Sequence, residues 1–478
     1  MELQREDGHR WRIPASGGMR VDGLIFASEA LMVKAREDRA VEQVANVAHL
    51  PGIVGNSIAM PDIHWGYGFP IGGVAATEVE ADGVVSPGGV GFDIGCGVRL
   101  LRSELTFDEV RDRLPELVET LAARIPRGVG QKGLRRLNGD EFRKLLADGV
   151  RWPLAQGIGW PEDEELCEDR GRLDEADPER VSERSVERGL GQLGSLGAGN
   201  HFLEVQVVDS VSAGREANAM GLFEGQVCVM IHTGSRGVGH QICTEDIRSV
   251  EASMRRLGIE VPDRQLACVP VNDPTGESYL GAMAAAANFA RANRHVLADG
   301  VRSSFEEVFG SASRALGMHL VYDVSHNVAK MERFEVDGRQ KTLCVHRKGA
   351  TRAFGPGHPE LPARYRDIGQ PVLVPGSMGT ASWVLVGTEE SRELSFSSTC
   401  HGAGRMMSRK AAVKMQRGGD LKADLQRQGI LVKAHQMRLL AEEAPYAYKD
   451  VDEVVEVCDA VGLSRKVARL RPVGVVKG

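Results

Sequence analysis

The stretch STCHGAGR at 398–405 gathers the residue types that handle a phosphoryl group. His401 sits between a short polar run and Gly402-Ala403-Gly404, with Arg405 four residues on. Glycines let the backbone adopt positive φ and approach an anion closely, and an arginine offers a bidentate fork to phosphate. An imidazole presented there acts as acid/base or as nucleophile. Turns of this composition also occur without chemistry, so the weight falls on what else the chain supplies.

It supplies the ligands of a metal site, in similar glycine-rich settings. GFDIGCG carries Asp93 and Cys96 three apart, a spacing that lets both converge on one ion or lets the thiolate bridge two. The alternative is a turn-forming aspartate beside a small buried thiol. GAGNHFLEV places Asn200, His201 and Glu204 where a glycine loop enters an apparent strand, and no Walker motif occurs there. His232 ends the strand VCVMIHT, ahead of a glycine turn bearing Arg236 and His240. His326 and Asn327 follow another short apolar segment, and Ser377 and Ser382 flank a PGS turn suited to a purine or a phosphate. In PDIHWGYG, Asp62 and His64 stand beside Trp65 and Tyr67, as ligands or as a hydrogen-bonded loop pair. One carboxylate, one thiolate and three imidazoles (Asp93, Cys96, His201, His232, His326) suit Mn²⁺, Zn²⁺, Fe²⁺ or Co²⁺ better than Mg²⁺ or Ca²⁺. Five ligands exceed what one catalytic ion with open positions takes, so two ions sharing Cys96 form a candidate phosphoryl-transfer centre.

The elements that must position these residues are short strands and tight loops. Residues 51–100 alternate glycine and proline with brief apolar runs, which suits strands rather than helices. Ser28 caps a helix through the thirties, 105–150 reads as helical, and 279–297 and 300–320 read as two further helices. VLVPGSMGTASWVLVG gives strand, turn, strand, and two basic helices follow His401. The segment 160–188, dense in charge and poor in large apolar residues, reads as a solvated helical excursion, with Cys167 incidental. The basic end SRKVARLRPVGVVKG reads as a solvated tail.

The totals bound the class. The chain has 478 residues, 42% hydrophobic and 26% charged, with 57 glycines, and it shows neither an internal repeat nor a low-complexity linker. A net charge of −7 excludes a generally polyanion-seeking surface, so any nucleic-acid contact rests on bound cations or on local basic patches, of which Lys132–Arg136 and Arg347–Arg352 are the candidates. Eight scattered cysteines without CxxC pairs indicate reduced thiols. With no bilayer-length apolar run and no signal-peptide core, the expectation is a cytoplasmic protein without a membrane partner.

Taken in order, GFDIGCG, GAGNHFLEV, IHTGSRGVGH, SHN, PGSMGTASW and STCHGAGR resemble the RtcB family of RNA-splicing ligases, over about residues 51–478. The resemblance implies an α+β fold: one large mixed α/β domain over 1–478, its sheets around a central metal and nucleotide cleft, with the charged excursion at about 160–188. It implies an RNA ligase that joins 2′,3′-cyclic phosphate or 3′-phosphate ends to 5′-hydroxyl ends in tRNA splicing or RNA repair. GTP would be the cosubstrate, two Mn²⁺ ions the cofactors, and an archease-type protein a candidate activator. His401 would take GMP, and Cys96 would bridge the ions, with Asp93 and His201 on one and His232 and His326 on the other. The GTP pocket would be lined by Asn200, His201, Phe202, Leu203, Glu204, His326, Asn327, Pro375, Gly376, Ser377, Met378 and Ser382. His401, Gly402, Ala403, Gly404, Arg405, Tyr448 and Lys477 would complete it, which reassigns the penultimate lysine from solvated tail to ligand. Two places depart from the family pattern: Arg291, where an aromatic is expected in ANFARANRH, and the charged excursion itself. A GTP-independent metal phosphodiesterase, with His401 as acid, and a non-catalytic RNA-binding protein are the competing classes; RNP-type aromatic strands, which the second would call for, are absent.

Overall fold

The computed structural model describes residues 2–478. Its sheets are mostly antiparallel. One has seven strands in the order Gln4–Arg5, Arg10–Ile13, Asp22–Phe26, Ile53–His64, Ile71–Glu78, Arg339–Lys348, Asn327–Val336. A second has eight, in the order Leu320–Ser325, Gly97–Thr106, Gln226–Thr233, Phe202–Val211, Ser464–Lys477, Ser382–Gly387, Pro371–Val374, with Leu431–Ala434 running parallel to Ser464–Lys477, and two further sheets have two strands each. The strand Gln226–Thr233 is buried at every position, so its central run Val227–Ile231 is continuously apolar instead of alternating. One core cluster joins the two sheets, with Ile25, Ile58 and Val74 from the first and Val372, Val374 and Leu385 from the second. The fold is α+β, as expected.

A single helix, Pro274–Phe309, runs for 36 residues where the sequence suggests two. Asp273 caps it by accepting from the Thr275 N–H at 2.9 Å, Pro274 occupies its first turn and Gly310, at φ 65°, closes it. The expected break near Gly300 does not occur. That residue's missing side chain makes room for Ile125 and Leu134, so it serves packing. The Ala284–Ala287 run keeps the helix thin enough to lie inside the core, where those alanines are no more than 1% exposed.

The same helix carries Arg291, Arg294, His295 and Arg302 into the interior, each at 2% exposure or less. Their partners come largely from the segment expected to be a solvated helical excursion, and here the structure departs from that reading. Residues 160–188 form short 3₁₀ turns (Pro161–Asp163, Glu168–Gly171, Pro178–Arg180) and only one short helix, Glu183–Gly189. Asp163 takes both Arg302 nitrogens at 2.6 and 2.8 Å, and Asp169 takes Arg291 at 2.6 Å and Lys330 at 2.6 Å. Glu168, 1% exposed, accepts from the Ser325 N–H at 2.9 Å and lies 3.2 Å from Arg352. High charge density looks like solvation in a sequence, yet here the acids turn inward because buried guanidiniums await them. Arg291 and the acidic segment are therefore one feature: the arginine is the counter-charge of Glu168 and Asp169. Nor is Cys167 incidental, since it is buried and accepts from Arg99 Nη2 at 3.1 Å.

The basic C-terminal run is a strand at the middle of the eight-stranded sheet, paired with Phe202–Val211 on one side and Ser382–Gly387 on the other. Arg465, Arg469 and Arg471 stay partly exposed while Val467, Ala468, Leu470, Val473, Val475 and Val476 are buried, so a run that looks basic has an apolar inner face.

Removing one partner of a buried ion cluster leaves the others uncompensated, at a cost of about 3–5 kcal/mol. Arg291→Ala should lower unfolding stability by roughly that amount in urea titration. A loss below about 1 kcal/mol, the range of exposed pairs, would show that the cluster does not depend on Arg291.

Candidate metal and nucleotide site

The site is assembled where three strand ends meet the long helix. Arg294 reaches from the helix to Asp323 through two nitrogens, at 2.8 and 2.9 Å, and Arg99 joins the same carboxylate at 2.7 Å. Burial alone would raise the Asp323 carboxyl, but the two guanidiniums hold it far below the usual range. Arg294 Nη1 also donates to the carbonyls of Gly95 (2.8 Å) and Thr233 (3.0 Å), the neighbours of Cys96 and His232. The His326 N–H donates to the Cys96 carbonyl and the Gly95 N–H to the Asn327 carbonyl, both at 2.8 Å. Gly95 has to be glycine: its φ is 68°, and a Cβ there would stand 2.8 Å from the Ala287 Cα.

The donor atoms converge as two groups sharing one sulfur: Asp93, Cys96 and His201, and Cys96, His232 and His326, with all ligand atoms of each group within 4.8 Å of one another. Asp93 Oδ2 lies 2.8 Å from His201 Nε2, and Cys96 Sγ lies 3.4 Å from His201 Nε2 and 3.5 Å from His232 Nε2. His232 Nε2 and His326 Nε2 face each other at 3.3 Å. Lone-pair-bearing atoms packed this tightly call for a cation, and a thiolate–imidazole–carboxylate set suits a borderline divalent ion. Burial drives the His232 and His326 pKa values well below the ordinary imidazole range, helped by the neighbouring histidines, so both are neutral and ready to ligate. Burial opposes ionisation of Asp93, but His201 outweighs it and brings the carboxyl to about 2. Cys96 goes the other way: burial and then Asp93 push its thiol well above the ordinary value.

Facing this centre is His401, whose ring centroid lies 4.8 Å from that of His326. Its Nδ1 sits 2.6 Å from Asp62 Oδ2, and the same oxygen accepts from the backbone N–H groups of His401 (3.0 Å) and Gly402 (3.3 Å). A carboxylate only accepts, so the 2.6 Å approach favours the tautomer with the proton on Nδ1 and the lone pair on Nε2. Gly404 lets the loop close over Asp62: at φ 74°, its Cβ would stand 2.2 Å from the Asp62 carbonyl. In the sequence Asp62 stands only as a candidate ligand or as half of a loop pair with His64. The signal available was a lone aspartate in a second glycine-rich stretch, with nothing to say that 339 residues away it would meet His401. His64 itself lines the cleft, and burial lowers its pKa to about 3.

Around both groups lies a cleft of about 470 Å³. Asn200, Phe202, Asn327, Pro375, Gly376, Ser377, Met378, Gly402, Ala403, Gly404, Arg405, Tyr448 and Lys477 line it, along with Asp93, Cys96, His232, His326 and His401. Leu203, Glu204 and Ser382 are not among the lining residues. Strand alternation sends Leu203 into the opposite core, fully buried among apolar neighbours. Glu204, 1% exposed, keeps Oε1 without a partner, and burial raises its pKa to about 8. Ser382 Oγ accepts from Gln206 and from the Gly376 N–H at 3.0 and 3.2 Å, which shapes the PGS turn from beneath. Arg405 does not hold out a free fork: it donates to Glu443 at 2.9 Å, to Tyr448 Oη at 3.1 Å and to two backbone carbonyls. Lys477 enters from the last strand, 4% exposed, and donates to the His201 carbonyl at 3.3 Å.

The family model described as tRNA-splicing ligase RtcB matches residues 43–478. The tRNA-splicing ligase RtcB of Thermococcus kodakarensis is 54% identical over 477 residues, covering 100% of this chain and 99% of the relative. That of Archaeoglobus fulgidus is 52% identical over 478 residues, with the same coverages, and the RNA-splicing ligase RtcB of Mycobacterium tuberculosis is 56% identical over 438 residues, covering 91% and 100%. The chain belongs to the RtcB family of tRNA-splicing ligases.

Of the buried donors whose ionisation the structure shifts, Cys96 alone must lose a proton to ligate. Affinity for Mn²⁺ should therefore rise about tenfold per pH unit from pH 6 to 8 as one proton is released. Cys96→Ser should flatten that slope and weaken binding. Isothermal titration in buffers of differing ionisation enthalpy measures both; a pH-independent affinity would contradict a thiolate ligand.

Proposed function

We propose that this member of the family joins RNA ends bearing a 2′,3′-cyclic phosphate or 3′-phosphate to 5′-hydroxyl ends, in tRNA splicing or repair, through a GMP–His401 intermediate. The observation that carries the reading is the two ligand groups sharing Cys96, set against a histidine whose Nδ1 is fixed by a buried carboxylate. Asp93 and His201 would hold one Mn²⁺ and His232 and His326 the other. When bound, the ions would neutralise phosphate oxygens and make the phosphorus a better electrophile.

The chain's own groups account for the remaining steps. Asp62 holds the Nδ1 proton, so Nε2 attacks the α-phosphorus of GTP; a P–N bond forms and pyrophosphate leaves. The GMP passes to the RNA 3′-phosphate, which frees His401, and leaves when the 5′-hydroxyl attacks. A guanine presents two adjacent N–H donors on one edge, and the unpartnered Glu204 Oε1 supports recognition there. Lys477, buried and, among the described residues, with no carboxylate within salt-bridge distance, supports charge recognition by the same pocket. The reading extends to a single catalytic domain, the cytoplasm, and an archease-type activating partner. Eight buried, unlinked cysteines support a reducing compartment. Among the described residues, no helix is long and apolar enough to cross a membrane.

His401→Ala should carry no covalent label after incubation with radiolabelled GTP and Mn²⁺ followed by denaturing electrophoresis; wild-type labelling of the variant would sink the assignment. Lys477 lies in a central strand, so deleting it would disturb the sheet, and substitution is the cleaner probe. Lys477→Met should preserve the fold while raising the GTP concentration needed for half-labelling about tenfold or more, as expected for a lost charged hydrogen bond. An unchanged GTP requirement would remove Lys477 from the site.

A further inference from the structure

The chain has five tryptophans, of which Trp11, Trp152, Trp160 and Trp383 are at most 8% exposed. Trp65 is 46% exposed, and it lines the same cleft as His401 and the Cys96 groups. Trp160 lies beneath the guanidiniums of Arg302 and Arg314, at 3.8 and 4.2 Å. By contrast, among the described residues no aromatic ring or cation stacks on the Trp65 indole.

An exposed indole on a floppy loop would carry little meaning, but this loop is pinned from every side. The Trp65 N–H donates to Asp38 Oδ2 at 3.1 Å. The fully buried Gln43 side chain donates to the Gly66 and Gly68 carbonyls at 2.7 and 3.1 Å and accepts from the Gly66 N–H at 2.9 Å. Gln265 accepts from the Gly68 N–H at 3.0 Å, and Lys348 donates to the Tyr67 and Phe69 carbonyls. A Cβ on Gly66 would stand 2.5 Å from the Phe69 carbonyl, so even the turn is committed. Behind Trp65, Tyr67 packs edge-on against Phe92 at 5.4 Å, and Phe92 stacks near His240 at 5.1 Å. The fold spends several buried polar groups to hold a large apolar face open to water at the mouth of the cleft.

We infer that Trp65 is a stacking platform for a nucleobase of the RNA at the break, an inference that rests on the RNA-joining reading above. Every base has a π-face, so such a platform holds RNA ends of any sequence, which a ligase of diverse ends needs. Trp65 shares the cleft with the residues assigned to the guanine nucleotide but is not one of them, so we assign the base it holds to RNA, either the 3′-phosphate strand or the 5′-hydroxyl strand.

The test uses the full chain with Mn²⁺ and GTP and compares wild type, Trp65→Ala and Trp65→Phe. Wild-type joining is the control; its absence would overturn the function and not the platform alone. Trp65→Ala should raise the KM for RNA about tenfold or more, with Trp65→Phe in between, and leave covalent labelling by GTP alone unchanged. Substrates with an abasic terminal nucleotide on one strand or the other identify the base: the penalty of Trp65→Ala should vanish on the strand whose base was removed. Equal KM values for Trp65→Ala and wild type would overturn the inference. So would a penalty that persists on both abasic substrates, or a matching loss of labelling, either of which makes Trp65 a support for His401. A circular-dichroism melt equal to wild type shows that the half-exposed substitution leaves the fold intact.

Discussion

Everything in the site hangs on one buried interaction, the pairing of Arg294 with Asp323. A guanidinium in the interior is expensive unless all its donors are used. Arg294 spends two nitrogens on the carboxylate and directs Nη1 to the carbonyls of Gly95 and Thr233. Those residues adjoin Cys96 and His232, and Asp323 lies three residues before His326. The pair thus sets the mutual distance of three ligands carried by three different chain segments. The ligands themselves would repel one another's lone pairs; the clamp keeps them together until a cation arrives.

The clamp is itself held from behind by charge. Arg99 shares Asp323, then reaches His295 at 3.0 Å and Cys167 at 3.1 Å. Glu168 ties the Ser325 N–H to the cluster of Arg291, Lys330 and Arg352. Arg352 lies on the short strand Ala350–Arg352, which pairs with Ser398–Cys400, and the latter delivers His401. The candidate metal ligands and His401 therefore share one continuous polar scaffold, in which buried guanidiniums and carboxylates hold one another and none can be removed without exposing the rest.

Much of this was legible in the sequence, for a physical reason: loops that bring ligands to a point need glycine, and glycine beside His, Asp or Cys is visible without coordinates. The five ligand candidates and His401 were found that way, and the resemblance to the family gave them a pairing that periodicity could not. What stayed hidden were the partners that lie far along the chain. Asp62 meets His401 only because two distant loops close on each other. The segment 160–188 looked solvated because charge density says nothing about which way charges point, and Arg291 looked like an oddity until its counter-charges appeared. The final strand looked like a tail because its outward arginines masked an inward row of valines. Arg405 was expected to be free, and only coordinates show Glu443 already in its fork.

The central claim is that Cys96 Sγ is shared between two ions held in place by the Arg294–Asp323 clamp and facing His401. Anomalous diffraction at the manganese edge, from crystals of the full chain soaked in Mn²⁺, tests it most directly. The account predicts two peaks, one contacting Asp93, Cys96 and His201 and the other contacting Cys96, His232 and His326. A single peak, or two peaks of which either lies out of reach of the Cys96 sulfur, would contradict it.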